Sequence, residues 1–214
     1  LNRTGGRGFA INLTNSSNSS ILNNTIQTNG TNASTGIRLS ALTTNTLIEN
    51  NTINVLGAYI TAYGSGDIND NGIDGYAGSR IVGNFIRVNS SIGGSGIDLT
   101  GNTSIINNTI IINDNLGVSG TGIRIYSLNN FIANNSIESR TVSASGNVGI
   151  LASGTTNNYT ISGNVIRTNG TNSNTGISLD SGGSSYHNYT IIDNVIFTSG
   201  SDSDNYGISI SASA

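Results

Sequence analysis

The chain has 214 residues, a formal charge of −3 at pH 7 and only 9% charged residues, against about 25% in ordinary globular proteins. Eight arginines, no lysine and eleven acids leave no basic face to neutralise a phosphate backbone, which argues against a nucleic-acid partner. The absence of cysteine excludes disulfides and thiolate metal sites, and no apolar run is long enough to span a bilayer.

Disordered chains lack regularly placed β-branched apolar residues, so 35% hydrophobic content with recurrent isoleucine argues for a fold. The length fits one domain over residues 1–214. A start at Leu1 without Met, and a finish at Ala214 in a strand-like run, suggest a removed leader or a segment of a longer filament.

From the N-terminus onward, two markers alternate. The first is a Gly followed by an apolar, a variable and usually another apolar residue. It opens as GFAI at Gly8 and returns at Gly36, Gly72, Gly96, Gly122, Gly149, Gly176 and Gly207, at separations of 28, 36, 24, 26, 27, 27 and 31. The second runs ILNNTI, LIENNTI, IVGNFI, IINNTI, FIANNSI, TISGNVI and TIIDNVI. Its anchors are Asn24, Asn51, Asn84, Asn108, Asn135, Asn164 and Asn194.

Both markers alternate with period two between Gly, Asn, Ser and Thr, the signature of short strands, and neither sustains a helical period. Short strands recurring without a crossover helix are satisfied by a chain that coils and stacks each strand on its equivalent one turn later. The expected fold is all-β, a right-handed parallel β-helix of about eight coils. Alternation sends Ile37 and Leu39, Ile97 and Leu99, Ile123 and Ile125, and Ile177 and Leu179 inward. The seven anchoring asparagines are expected at bends, where Asn tolerates left-handed backbone, with their amides bonding from coil to coil as a ladder.

The alternation of GI-x-[LI] with NNTI or GNVI segments, over nearly all residues from Gly8 to Ile210, resembles the parallel β-helix repeats of the pectin lyase-like superfamily. It looks most like the repeats of secreted and cell-surface members. Shared by lyases, hydrolases, tailspikes and adhesins, the motif implies a fold and not one activity.

Enzymes of that superfamily place Asp pairs or triads, with Arg, Lys or His, on the outer face of one sheet. Here the matching outward column is Arg38, Asp74, Asp98 and Arg124, in which Asp74 beside Asp98 is a candidate for acid chemistry or cation binding, flanked by arginines that would orient an acidic sugar. The alternative is charge compensation along an exposed face. His187 has no carboxylate within four residues and receives no role. Between Gly36 and Gly72 the longest interval carries Tyr59 and Tyr63 near Asp67 and Asp70, a candidate glycan-binding loop. Asp67, Asp70 and Asn71 could supply oxygens to Ca²⁺, but the spacing of an EF-hand is missing, and no cofactor or metal is expected.

Fifteen N-x-[ST] sequons occur, and those at Asn29, Asn32 and Asn169 lie in stretches expected at exposed corners, where a glycan would meet water. Neither end shows a capping helix, and an uncapped coil invites another chain. The expectation is an extracellular or cell-surface structural or adhesive protein, not an enzyme, that associates end to end into a glycosylated filament and contacts surface polysaccharide. The alternatives are a polysaccharide lyase or hydrolase and a non-catalytic glycan-binding module.

Overall fold

A computed structural model describes residues 2–4, 8–30, 34–40, 43–57, 70–75, 78–90, 93–114, 119–126, 129–141, 146–153, 157–171, 173–180, 187–201 and 204–211. The strands follow one another as β1 (Asn2–Thr4), β2 (Gly8–Leu13), β3 (Ser20–Leu22), β4 (Thr25–Gly30), β5 (Ser34–Leu39), β6 (Leu47–Glu49), β7 (Thr52–Gly57) and β8 (Asp70–Gly75). Next come β9 (Arg80–Val82), β10 (Phe85–Ser90), β11 (Gly94–Leu99), β12 (Ser104–Ile106), β13 (Thr109–Asp114), β14 (Thr121–Ile125), β15 (Asn130–Ala133) and β16 (Ser136–Thr141). The last are β17 (Val148–Ser153), β18 (Asn157–Ser162), β19 (Val165–Asn169), β20 (Thr175–Asp180), β21 (His187–Ile192), β22 (Val195–Ser199) and β23 (Tyr206–Ser211).

Every third strand pairs, always in parallel, so the chain winds through three sheets. The first sheet, β1-β4-β7-β10-β13-β16-β19-β22, and the second, β2-β5-β8-β11-β14-β17-β20-β23, have eight strands each; the third, β3-β6-β9-β12-β15-β18-β21, has seven. The protein is therefore a parallel β-helix. Eight rungs are present in two sheets, but complete turns are fewer than the eight coils expected, because the third sheet is shorter. The ILNNTI-type marker is not one strand but two, β3 and β4 and their equivalents, meeting at a corner.

Strand alternation places one isoleucine per coil from each sheet on the axis. In the first sheet Ile26, Ile53, Ile86, Ile110, Ile137 and Ile166 stack in register; in the second Ile37, Ile73, Ile97, Ile123, Ile150 and Ile177; in the third Ile21, Ile48, Ile81, Ile105, Ile132 and Ile161. All are buried. Isoleucine suits this place because its β-branch fits the pleat, and each buried side chain contributes about 1.5–3 kcal/mol. Leu39, Leu99, Ile125 and Leu179 are inward as expected.

The Gly of the GI marker has a reason that the marker alone does not disclose. A Cβ on Gly122 would lie 2.3 Å from Ile137 Cγ2 and 2.5 Å from the carbonyl oxygen of Gly149, and Gly36, Gly72, Gly96, Gly149 and Gly176 are crowded in the same way. The first and second sheets converge there, and no side chain fits between them.

At the corner between the third and first sheets, two residues join the strands in all seven coils: 23–24, 50–51, 83–84, 107–108, 134–135, 163–164 and 193–194. The second of each pair forms the expected ladder. Asn84 shows the pattern: its backbone N–H donates to Asn108 Oδ1 (2.9 Å), and its Nδ2 donates to Asn108 Oδ1 (3.0 Å), to Ile48 O of the preceding coil (2.9 Å) and to Val82 O (3.1 Å). Backbone N–H and Nδ2 reach the next Asn in the same way from Asn24, Asn51, Asn108, Asn135 and Asn164, so the ladder ends at Asn194.

The expected left-handed backbone belongs to the residue before the ladder Asn, not to the ladder Asn itself. Asn23, Asn50, Gly83, Asn107, Asn134, Gly163 and Asp193 have φ between 54° and 63°. Only Gly, Asn and Asp visit this region at low cost, which limits the column to those three residues.

A second ladder stands between the first and second sheets in the later coils. The N–H of Gly120 donates to Asn147 Oδ1 (3.1 Å), Asn147 Nδ2 to Asn174 Oδ1 (3.0 Å) and Asn174 Nδ2 to Asn205 Oδ1 (2.9 Å). Asn147 and Asn174 are fully buried. Their signal is an Asn two residues before the Gly of GI, in NVGI, NTGI and NYGI, and it blends into an Asn-rich background.

Candidate functional site

Chemistry on a filled β-helix has to lie on the outer faces, the corners or the ends. On the second sheet, register places Asn12, Arg38, Asp74, Asp98, Arg124, Leu151, Ser178 and Ser209 in one outward column, bringing together the four charged residues singled out in the sequence. Their side chains divide into separate contacts. Arg38 lies over the Phe9 ring, its Cζ 4.6 Å from the centroid. Arg124 Nη1 meets Asp98 Oδ2 at 3.5 Å, with side chains 22% and 17% exposed, and its Nη2 donates to Thr121 Oγ1. Asp74 holds its place in the strand, and its side chain lies outside the described residues.

The first sheet carries a shallow outer depression of about 250 Å³ lined by Glu138, Arg140, Arg167, Thr168, Asn169, Phe197 and Ser199. Sequence reasoning did not single it out, because it needs the register Glu138↔Arg167↔Phe197 and Arg140↔Asn169↔Ser199 across three coils. Arg140 Nε donates to Glu138 Oε1 at 2.8 Å. The Arg167 guanidinium lies 5.0 Å from the Phe197 ring centroid, a cation–π pair. A carboxylate, two guanidiniums, a carboxamide and an aromatic face can hydrogen-bond and stack a sugar.

Of the other sequence candidates, Tyr59, Tyr63, Asp67 and Asn32 lie outside the described residues; Asp70 and Asn71 begin β8, their side chains likewise outside. Among the described residues no group of three His, Cys, Asp or Glu is gathered to hold a metal ion. Asn29 and Asn169 are exposed, within or at the end of strands β4 and β19.

The last described coil leaves its axial columns open. Ile208 is 45% exposed and Ile210 62%, whereas Ile177 and Leu179, one coil earlier in the same columns, are buried. Ile192, Val195, Phe197 and Tyr206 are exposed beside them. No helix among the described residues is long and apolar enough to cross a membrane.

No family model matches the chain, and neither the curated proteins nor the solved structures contain a significant match.

Proposed function

We propose that this protein is a structural or adhesive element of an extracellular surface that stacks end to end with further copies of itself, and that it is a non-catalytic relative of the pectin lyase-like β-helices. The observation carrying this reading is the open coil: apolar columns at Ile208 and Ile210 and the edges of β21, β22 and β23 are complementary to another coil of the same repeat. The ladder adds polarity. Among the described residues the Asn194 N–H has no Asn acceptor in the ladder, and Asn24 Oδ1 at the opposite end of the ladder has no donor. Donor end meeting acceptor end gives a head-to-tail contact, which extends into a line without closing.

Purified protein examined by light scattering and electron microscopy is expected to form rods of growing length. The double substitution Ile208→Glu with Ile210→Glu leaves the earlier coils intact and is expected to yield monomers. Monomers of the unsubstituted protein at all concentrations would overturn the stacking.

A second reading, a glycan-binding surface, is favoured by the depression at Arg140, Arg167 and Phe197. Arg167→Ala and Phe197→Ala would each weaken retention on acidic polysaccharide while leaving the circular dichroism unchanged; equal retention would remove this reading.

A further inference from the structure

The column of left-handed residues at the third-to-first-sheet corner carries a correlation that the fold does not require. Where the left-handed residue is Asn, at Asn23, Asn50, Asn107 and Asn134, the residue two positions on is Thr25, Thr52, Thr109 or Ser136. Where it is Gly83, Gly163 or Asp193, that residue is Phe85, Val165 or Val195. The two columns switch together in all seven coils.

Backbone geometry accounts for each column alone and not for their coupling. Left-handed φ is met equally by Asn, Gly and Asp here. The position two residues on is the outward start of a first-sheet strand, where Phe85 and Val195 stand 39% and 49% exposed, so nothing there demands a hydroxyl. No hydrogen bond joins Asn50 to Thr52, Asn107 to Thr109 or Asn134 to Ser136. The feature that needs both residues at once, and tolerates any residue between them except Pro, is the acceptor sequon of N-glycosylation.

The geometry also separates the two asparagines of each NN pair. Asn24, Asn51, Asn108 and Asn135 spend their amides in the ladder and are not the acceptor of any sequon. Asn23, Asn50, Asn107 and Asn134 send only their backbone N–H to the next coil; their side chains are exposed and, among the described residues, make no hydrogen bond. By contrast Asn158 and Asn188, also in sequons, bond Asn129 and Asn158 through Nδ2. We infer that Asn23, Asn50, Asn107 and Asn134 are N-glycosylation sites, forming a carbohydrate ridge along one corner of the rod. Glycosylation forms a bond between Asn Nδ2 and the anomeric carbon of a lipid-linked sugar donor, releasing the lipid phosphate and one proton. Adjacent coils are about 4.8 Å apart, so a branched glycan on one member crowds its neighbour, and at least one of Asn23/Asn50 and one of Asn107/Asn134 is occupied. The ridge runs lengthwise and leaves the coil ends uncovered. This inference rests on the exterior location proposed above.

The test is glycopeptide mass spectrometry on the protein purified from its natural source, alongside antibody labelling of intact cells. Sugar is expected on at least one Asn of each pair and on none of Asn24, Asn51, Asn108 and Asn135. Bare asparagines at all four positions on a protein that labels at the surface would overturn the ridge and leave the location standing; bare asparagines with labelling only after permeabilisation would remove both. In the natural host, Thr25→Val, Thr52→Val, Thr109→Val and Ser136→Val together are expected to strip the ridge, with Thr25→Ser, Thr52→Ser and Thr109→Ser together retaining it. The fold tolerates Val there, as Val165 and Val195 show. Glycans that persist at the four asparagines in the Val variant would also refute the assignment.

Discussion

The corner between the third and first sheets and the corner between the first and second sheets do the same work by different means. At the former, two residues join the strands in all seven coils, one left-handed and one in the ladder. At the latter, the connection grows from residues 31–33 after β4 to 58–69 after β7, and among the described residues an Asn ladder is present only in the later coils. One corner sets the register of the stack, leaving the other free to vary, since loop entropy rises slowly with length.

The largest effect should come from disturbing the rigid corner. A glycine inserted between Asn107 and Asn108 shifts the inward face of β13 outward and is expected to abolish cooperative unfolding in calorimetry, whereas the same insertion between β13 and β14 is expected to cost under about 1 kcal/mol. Next in size, Asn108→Leu strands the buried Asn84 N–H and takes the Nδ2 donor away from Ile81 O and Ile106 O; at about 1–3 kcal/mol per buried unmet group, a loss of about 3–5 kcal/mol is expected in urea titration. Loss below about 1 kcal/mol would show that the ladder follows the stack without holding it.

Gly122→Ala forces a methyl against Ile137 and the Gly149 carbonyl and should cost about 2–3 kcal/mol by the same measurement. Asn107→Ala puts at φ 56° a residue that visits the left-handed region less readily than Asn does and should cost about 1 kcal/mol, with Asn107→Gly close to neutral. Smallest of all, Asp98→Asn removes a part-buried ion pair and should shift stability by about 0.5 kcal/mol, less at high salt.

The same contrast governs what could be read in advance. Ladder residues were legible because a corner of constant length repeats the same words, and the inward Ile and Leu positions followed from alternation alone. The left-handed position was misplaced by one residue, since Asn23 and Asn24 are chemically identical and only the backbone distinguishes them. Asn147, Asn174 and Asn205 were missed because their ladder occupies few coils in a chain already rich in Asn. Of the outward charges, the Arg38-to-Arg124 column was visible from one repeated motif, but the depression at Glu138, Arg167 and Phe197 draws on coils whose motifs differ and emerges only from register.

The direction of the ladder has a consequence for synthesis. Each anchoring Asn from Asn24 to Asn164 sends its N–H to the Asn of the coil that follows it, and domains generally fold N-terminus first as the chain leaves the ribosome. A newly emerged coil therefore keeps an unmet donor until translation delivers one more turn, so completion of the native structure trails the growing chain by one coil.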